Sequence, residues 1–186
     1  MNEMKILGII GSLRQASYNH AALKAAQALL PAGVVLDLIE LHGIPVFNQD
    51  QEMALPAAVL EFKRRILAAD AILFATPEYN YSVPGALKNA IDWASRPFGK
   101  SAWTGKPAAL MGASPGSLGT ARAQYHLRQI LVSFGMSVVS QPEVMIANAA
   151  QCFDPDGRLT DAPTREHIQK LLIALVQLVK TDTASM

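Results

Sequence analysis

Five short apolar runs, each followed by a longer stretch of helical periodicity, limit what this chain can fold into more than any other feature. The runs are Ile6-Leu7-Gly8-Ile9-Ile10, Val34-Val35-Leu36-Asp37-Leu38, Ala71-Ile72-Leu73-Phe74-Ala75 and Pro107-Ala108-Ala109-Leu110-Met111. The fifth opens at Ser137-Val138-Val139, with Val144-Met145-Ile146 either extending it or pairing nearby. Runs of this length and uniform apolarity are strands buried on both faces. Between them lie helical patterns carrying Leu23, Ala26 and Leu30, then Val59, Phe62 and Ile66. A third helix runs from about Pro84 to Ser95, and a fourth carries Leu127, Ile130, Leu131 and Phe134. The last shows Ile168, Leu171, Leu172, Leu175 and Val179 as one stripe. The pattern is (βα)5. Right-handed crossovers fold it into a three-layer α/β/α sandwich on a five-stranded parallel sheet. The common order for such a sheet is 2-1-3-4-5, with its switch point between strands one and three.

With 186 residues and 51% hydrophobic content, the chain supports one domain, 1–186, without a linker or an internal repeat. The tail from Thr181 is expected to fray. A formal net charge of +1 gives no overall attraction to nucleic acid or to an anionic membrane, so any anion site is local. No apolar run approaches the roughly 20 residues that span a bilayer. The segment from Met1 leads straight into the first strand, and a soluble cytoplasmic protein is expected. The single cysteine, Cys152, excludes an internal disulfide and a cysteine metal cluster, and reads as a lone loop thiol.

In an open α/β sheet, ligands bind beyond the carboxyl ends of the strands near the switch point. Three loops meet there. After strand one, Gly11-Ser12-Leu13-Arg14-Gln15-Ala16-Ser17-Tyr18-Asn19 offers hydroxyls, an amide and a guanidinium just before a helix. That composition suits a phosphate, although the same residues also make an ordinary capped helix start. The spacing is not that of a dinucleotide fingerprint, and Gly99-Lys100-Ser101 is not a P-loop because it follows a helix rather than a strand. After strand three comes Thr76-Pro77-Glu78-Tyr79-Asn80-Tyr81-Ser82-Val83-Pro84, aromatic and polar, with two prolines fixing its path. Its natural guest is flat with polar edges. After strand four, Gly112-Ala113-Ser114-Pro115-Gly116 is small and polar. A phosphate, a linker and a flat heteroaromatic ring describe FMN.

The third loop also matches G-x-S-x-G, and Asp154, Asp156 and Asp161 followed by His167 keep the hydrolase order. A serine hydrolase using Ser114 is therefore a rival reading. Against it, the residue after the nucleophile must donate its N–H to the oxyanion, and Pro115 has none.

The two motifs Gly11-Ser12-x-Arg14-x-x-Ser17-x-Asn19 and Pro77-Glu78-Tyr79-Asn80-Tyr81-Ser82-x-Pro84-Gly85-x-Leu87-Lys88-Asn89-x-x-Asp92-Trp93 together resemble the NAD(P)H-dependent FMN reductases of flavodoxin-like fold. That group includes quinone, chromate and azo reductases, and the resemblance spans the chain. It implies bound FMN, NAD(P)H as co-substrate, and quinones or similar acceptors such as chromate, azo or nitro compounds and free flavin. It also implies that Ser12, Arg14, Ser17 and Asn19 hold the flavin phosphate, with Tyr18 among them. Pro77, Glu78, Tyr79, Asn80 and Tyr81 would line the ring, and Ser114 would touch its rim. No side chain is needed as a catalyst, because the chemistry sits at flavin N5. A flavodoxin-like electron carrier or a flavin-binding regulatory protein are the alternatives. Carriers of that type are usually strongly acidic, which this chain is not.

Glu78 would repel a reduced, anionic ring, so its side chain is expected to turn away, toward a helix N-terminus or a neighbour, while its backbone serves the flavin. His20, His42, His126 and His167 read as surface or interface residues, and Asp92 and Trp93 as packing. Arg122, Tyr125 and Arg128 share one helix face, with Glu143 nearby in sequence. In the resembled family such residues are available for contacts between subunits of a homodimer or homotetramer, and a solvated face is the alternative.

Overall fold

The computed structural model describes residues 3–184. In chain order the elements are β1 (Met4–Ile10), α1 (Tyr18–Gln27), β2 (Val34–Glu40), a 3-10 turn at Gln49–Gln51, α2 (Ala57–Ala68), β3 (Ala71–Ala75), α3 (Gly85–Ala94), β4 (Ala108–Ala113), α4 (Ala121–Val132), β5 (Val144–Ile146), the short α5 (Ala149–Cys152) and α6 (Ala162–Ala184). The strands pair in parallel in the order β2-β1-β3-β4-β5, which is the expected sheet.

Alternation along each strand sends its side chains into two cores. On one face Ile6, Ile10, Leu73 and Met111 pack under Leu23 and Ala26 of α1 and Ile168, Leu171, Leu172 and Leu175 of α6. On the other, Leu7, Ile9, Ile72, Phe74 and Leu110 pack under Phe62 and Ile66 of α2, Leu87 and Ile91 of α3, and Leu127 and Leu131 of α4. Both faces are covered, which explains the unbroken apolarity of β3. All five strands therefore run their carboxyl ends to one rim, and the loops after β1, β3 and β4 share it.

Both readings of the fifth strand are realised. Val138 bridges Ala108 at the start of β4, and Val144–Ile146 pair with its end. The edge strand is broken between these two by the segment carrying Pro142, a residue that donates nothing to a ladder. The long connection between α3 and β4 holds what the sequence left as a simple break. Trp103 there is fully buried, donates its indole N–H to the Ile91 carbonyl at 3.0 Å, and packs on Phe62 and Phe74.

Candidate functional site

The first loop is stapled by its own side chains. Gly11 N–H donates to the Ala75 carbonyl at 2.9 Å, which ties the end of β1 to the start of the loop after β3. Ser17 is the N-cap of α1, its Oγ accepting from Asn19 N–H at 3.2 Å, and Ser12 Oγ accepts from Arg14 N–H at 3.2 Å. The N–H groups of Gln15, Ala16, Ser17 and Tyr18 have no partner among the described residues. With no acidic residue in the first turn of α1, this is an electropositive cradle of free donors. Arg14 stands exposed beside it, bonded only to the Ala16 carbonyl at 3.1 Å.

Asn19 is placed differently from its loop neighbours. It is buried, and its amide pairs at both ends with the backbone of Ala113, donating at 3.0 Å and accepting at 2.9 Å. Its side chain is thus a latch from α1 to the end of β4 and sits beneath the cradle. Asn19→Ala removes both bonds and leaves a buried N–H and C=O unpaired, so a loss of about 2 to 3 kcal/mol of stability is expected in denaturant titration.

The second loop is a tight two-residue turn. Tyr79 and Ser82 exchange backbone bonds at 3.0 and 3.1 Å, with Asn80 at φ 50° and Tyr81 at φ 69° between them. Both central residues are left-handed, as in a type I′ turn, where asparagine is at home and a tyrosine is strained. Contacts with α4 hold it there. The Arg122 guanidinium lies 3.6 Å from the centre of the Tyr81 ring, and Ser82 Oγ is bonded to His126 Nδ1 at 3.0 Å. Arg122 is in turn ion-paired to Glu78, and that hydrogen bond holds the guanidinium above its ordinary pKa.

Glu78 Oε2 also accepts from the N–H groups of Arg122 at 3.0 Å and Ala123 at 3.2 Å. Thr120, at the N-cap of α4, has φ 71° and makes no side-chain cap, so Glu78 supplies it from 44 residues away. The carboxylate points into a helix N-terminus and a cation, and its charge is compensated there.

The third loop completes the rim. Ser12, Arg14, Ser17, Pro77, Tyr79 and Ser114, drawn from all three loops, line one open cleft of about 360 Å³. Glu78 and Ser114 also line an adjoining trough of about 830 Å³, with Asn80, Tyr81 and Arg122 on it. The rest of that trough is Gly116–Thr120, which the sequence reading did not single out. The available signal was the glycine-rich run before α4, whose Gly119 has φ 53°.

Ser114 Oγ accepts from Gly116 N–H at 3.1 Å, and no histidine lines either cavity that Ser114 touches. His167 lines a separate hollow with Glu143 and Ile146, so the hydrolase constellation is not assembled. His42, His126 and His167 are exposed and His20 is half-buried. Trp93 is buried, edge-on to Phe47, and Asp92 pairs with Lys88 at 2.8 Å. Tyr125 donates to Glu143 at 3.2 Å and Arg128 to the Val139 carbonyl at 2.8 Å, both within the chain. Cys152 is half-buried, and burial pushes its thiol up, away from the reactive thiolate. Among the described residues no helix is long and apolar enough to cross a membrane, and no cluster of metal-ligating side chains occurs.

The strand order, with three ligand-facing loops at its switch point, defines a flavodoxin-like α/β protein. The family model of the NADPH-dependent FMN reductases matches residues 4–151, and the chain belongs to that family. It is 55% identical over 175 residues to an NAD(P)H-dependent FMN reductase of Pseudomonas aeruginosa, covering 94% of each chain. It is 40% identical over 169 residues to a 2-hydroxy-1,4-benzoquinone reductase of a Burkholderia species, covering 91% of this chain and 92% of that one. Among solved structures, the flavoenzyme NAD(P)H:(acceptor) oxidoreductase FerB of Paracoccus denitrificans superposes with a TM-score of 0.88 at 40% identity, over 96% of this chain and 98% of that one.

Proposed function

We propose that the protein is an FMN-dependent oxidoreductase that takes hydride from NADH or NADPH and reduces quinones or similar acceptors in a ping-pong cycle. The observation that carries this reading is the free-donor cradle at the start of α1, opening through a shared wall onto a trough edged by two tyrosines. The donor set fits FMN. Ser12, Ser17 and the free N–H groups from Gln15 to Tyr18 suit a phosphate, and Arg14 supplies the counter-charge. Asn19 braces them. Along the ring, Pro77, Tyr79, Tyr81 and Ser114 give surface. The N–H groups of Glu78, Asn80 and Tyr81, unpartnered among the described residues, give donors for its polar edge. Such preorganised donors stabilise negative charge as it develops on a ring. When bound, FMN supplies the two-electron chemistry itself. The chain binds and orients it, and Glu78 keeps its charge on Arg122 and α4 instead of on the ligand.

Arg14→Ala is expected to weaken FMN by about 1.5 to 3 kcal/mol, a rise in Kd of roughly 10- to 150-fold, through lost charged hydrogen bonds. Titration of flavin fluorescence reads it, and an unchanged Kd would remove Arg14 from the phosphate site. We further propose that the protein works in the cytoplasm as a homodimer or homotetramer. The α4 face bearing Tyr125, half of whose surface is exposed beside Glu143, is the surface offered to the partner copy. Light scattering on the purified protein tests this.

A further inference from the structure

The phosphate cleft is open at its outer end. Arg14, Ser17 and Tyr18 line it and also line a second groove of about 910 Å³, within the range of roughly 300 to 1,000 Å³ typical of small-molecule sites. No residue of the 77–81 or 114–122 loops reaches that groove. One wall is α1, where His20 and Lys24 stand one turn apart, and the other is the turn Asp154–Gly157. Lys24 and Arg14 have no acidic partner among the described residues, so two cations face the groove uncompensated. The acids opposite are held in place. Asp154 Oδ1 accepts from Arg158 N–H at 2.8 Å, and Asp156 lies 3.5 Å from the Arg158 guanidinium. Each retains oxygen lone pairs that a sugar diol can use.

A phosphate beside two cations, followed by a diol beside two carboxylates, is the chemistry of a nucleoside phosphate attached to the flavin phosphate. We propose that this groove takes the adenosine phosphate half of a dinucleotide, so that the protein binds FAD as well as FMN with the flavin half in one position. The proposal rests on the assignment of Ser12, Arg14 and Ser17 to the flavin phosphate. A chain leaving that phosphate meets Arg14 and Tyr18 first and then the wall carrying Lys24. NAD(P)H also carries an adenosine phosphate, and the two sources separate by experiment.

The FMN-loaded protein is equilibrated with rising ratios of FAD and desalted, and its retained flavins are separated by chromatography. FAD is expected to exchange for FMN with an affinity within about tenfold of it. Lys24→Glu is expected to shift the exchange about fivefold or more toward FMN, by replacing an attraction to the second phosphate with a repulsion. The FMN content of that variant and its KM for NADPH are expected to stay within about twofold. An FAD affinity more than tenfold below that of FMN overturns the proposal, and so does an equal effect of Lys24→Glu on both flavins. A raised KM for NADPH with unchanged flavin exchange gives the groove to the nicotinamide nucleotide and also overturns it. Arg14→Ala distinguishes the two levels of the account. Weakened retention of both flavins supports the shared phosphate position, whereas retention of both undiminished refutes that position and the FAD proposal with it.

Discussion

Gly112→Ala is expected to be the most damaging single substitution at the site. A Cβ at Gly112 would lie 1.9 Å from Thr120 Oγ1 and 2.4 Å from the Thr76 carbonyl oxygen. Neither can retreat. Thr76 and Thr120 are both buried, the Thr76 N–H is bonded to the Met111 carbonyl, and Thr120 Oγ1 accepts from Gln124 at 3.1 Å. Relief therefore requires β4 to move from the segment after β3, or the Thr120 turn to move off its end. Either displacement separates the loops that form the cleft and the trough. Overpacking of this kind costs about 3 kcal/mol or more, which lowers the melting temperature by roughly 6 to 12 °C in a chain of this size. Circular dichroism melts read the stability and the absorbance of purified protein reads its flavin content, and both are expected to fall. A melting temperature within about 2 °C of the parent would show that the Thr76–Thr120 contact is softer than described.

Glu78→Ala acts through a different link. The carboxylate caps α4, pairs with Arg122, and through Arg122 supports the Tyr81 ring over a left-handed backbone. Its removal leaves two helix N–H groups without an acceptor and frees the guanidinium, at a cost of about 2 to 4 kcal/mol. The strained turn then loses its tether, since a tyrosine at φ 69° persists only where its surroundings fix it. The expected result is a lower melting temperature together with weaker FMN binding. Glu78→Gln is expected to fall between the two, because its amide oxygen still accepts from one N–H but carries no charge. If Glu78→Ala lowers stability while FMN affinity stays at the parent value, the turn does not depend on this tether. A full loss of stability in Glu78→Gln would show that charge outweighs the cap bonds.

What was legible in the sequence follows from the range of the interactions involved. β3 was read to its ends because every side chain in Ala71–Ala75 is buried, so its local composition carries the whole signal. The same holds for the α6 stripe. Strand five was ambiguous because its pairing is split around Pro142, and a three-residue edge segment has too little periodicity to read. Trp103 looked like a boundary because it sits between Ser101 and Gly105 in a connection. Its burial comes from Phe62 and Phe74, on other elements. At the site, the residue types in the three loops were visible and so was their meeting point, which strand order alone determines. The direction each side chain takes was not visible. Asn19 and Ala113 are 94 residues apart, and Glu78 and Arg122 are 44 apart, so the latch and the cap leave no pattern along the chain. For Glu78, the repulsion expected from a reduced ring pointed the side chain away without naming Arg122. Gly116–Thr120 went unread for a related reason: its shape comes from left-handed residues fitted against the Gly112 backbone and Met145.

The central claim is that these loops bind FMN and expose it to a nicotinamide and then to a quinone. It is tested by one spectroscopic titration. Purified protein is incubated with FMN, desalted, reduced anaerobically with NADPH or NADH, and then given a benzoquinone. The account predicts a retained yellow chromophore that bleaches with the nicotinamide and returns with the quinone. Failure to retain FMN would contradict the cofactor site. Retained FMN that neither nicotinamide bleaches would contradict the reductase and leave a flavodoxin-like electron carrier in its place.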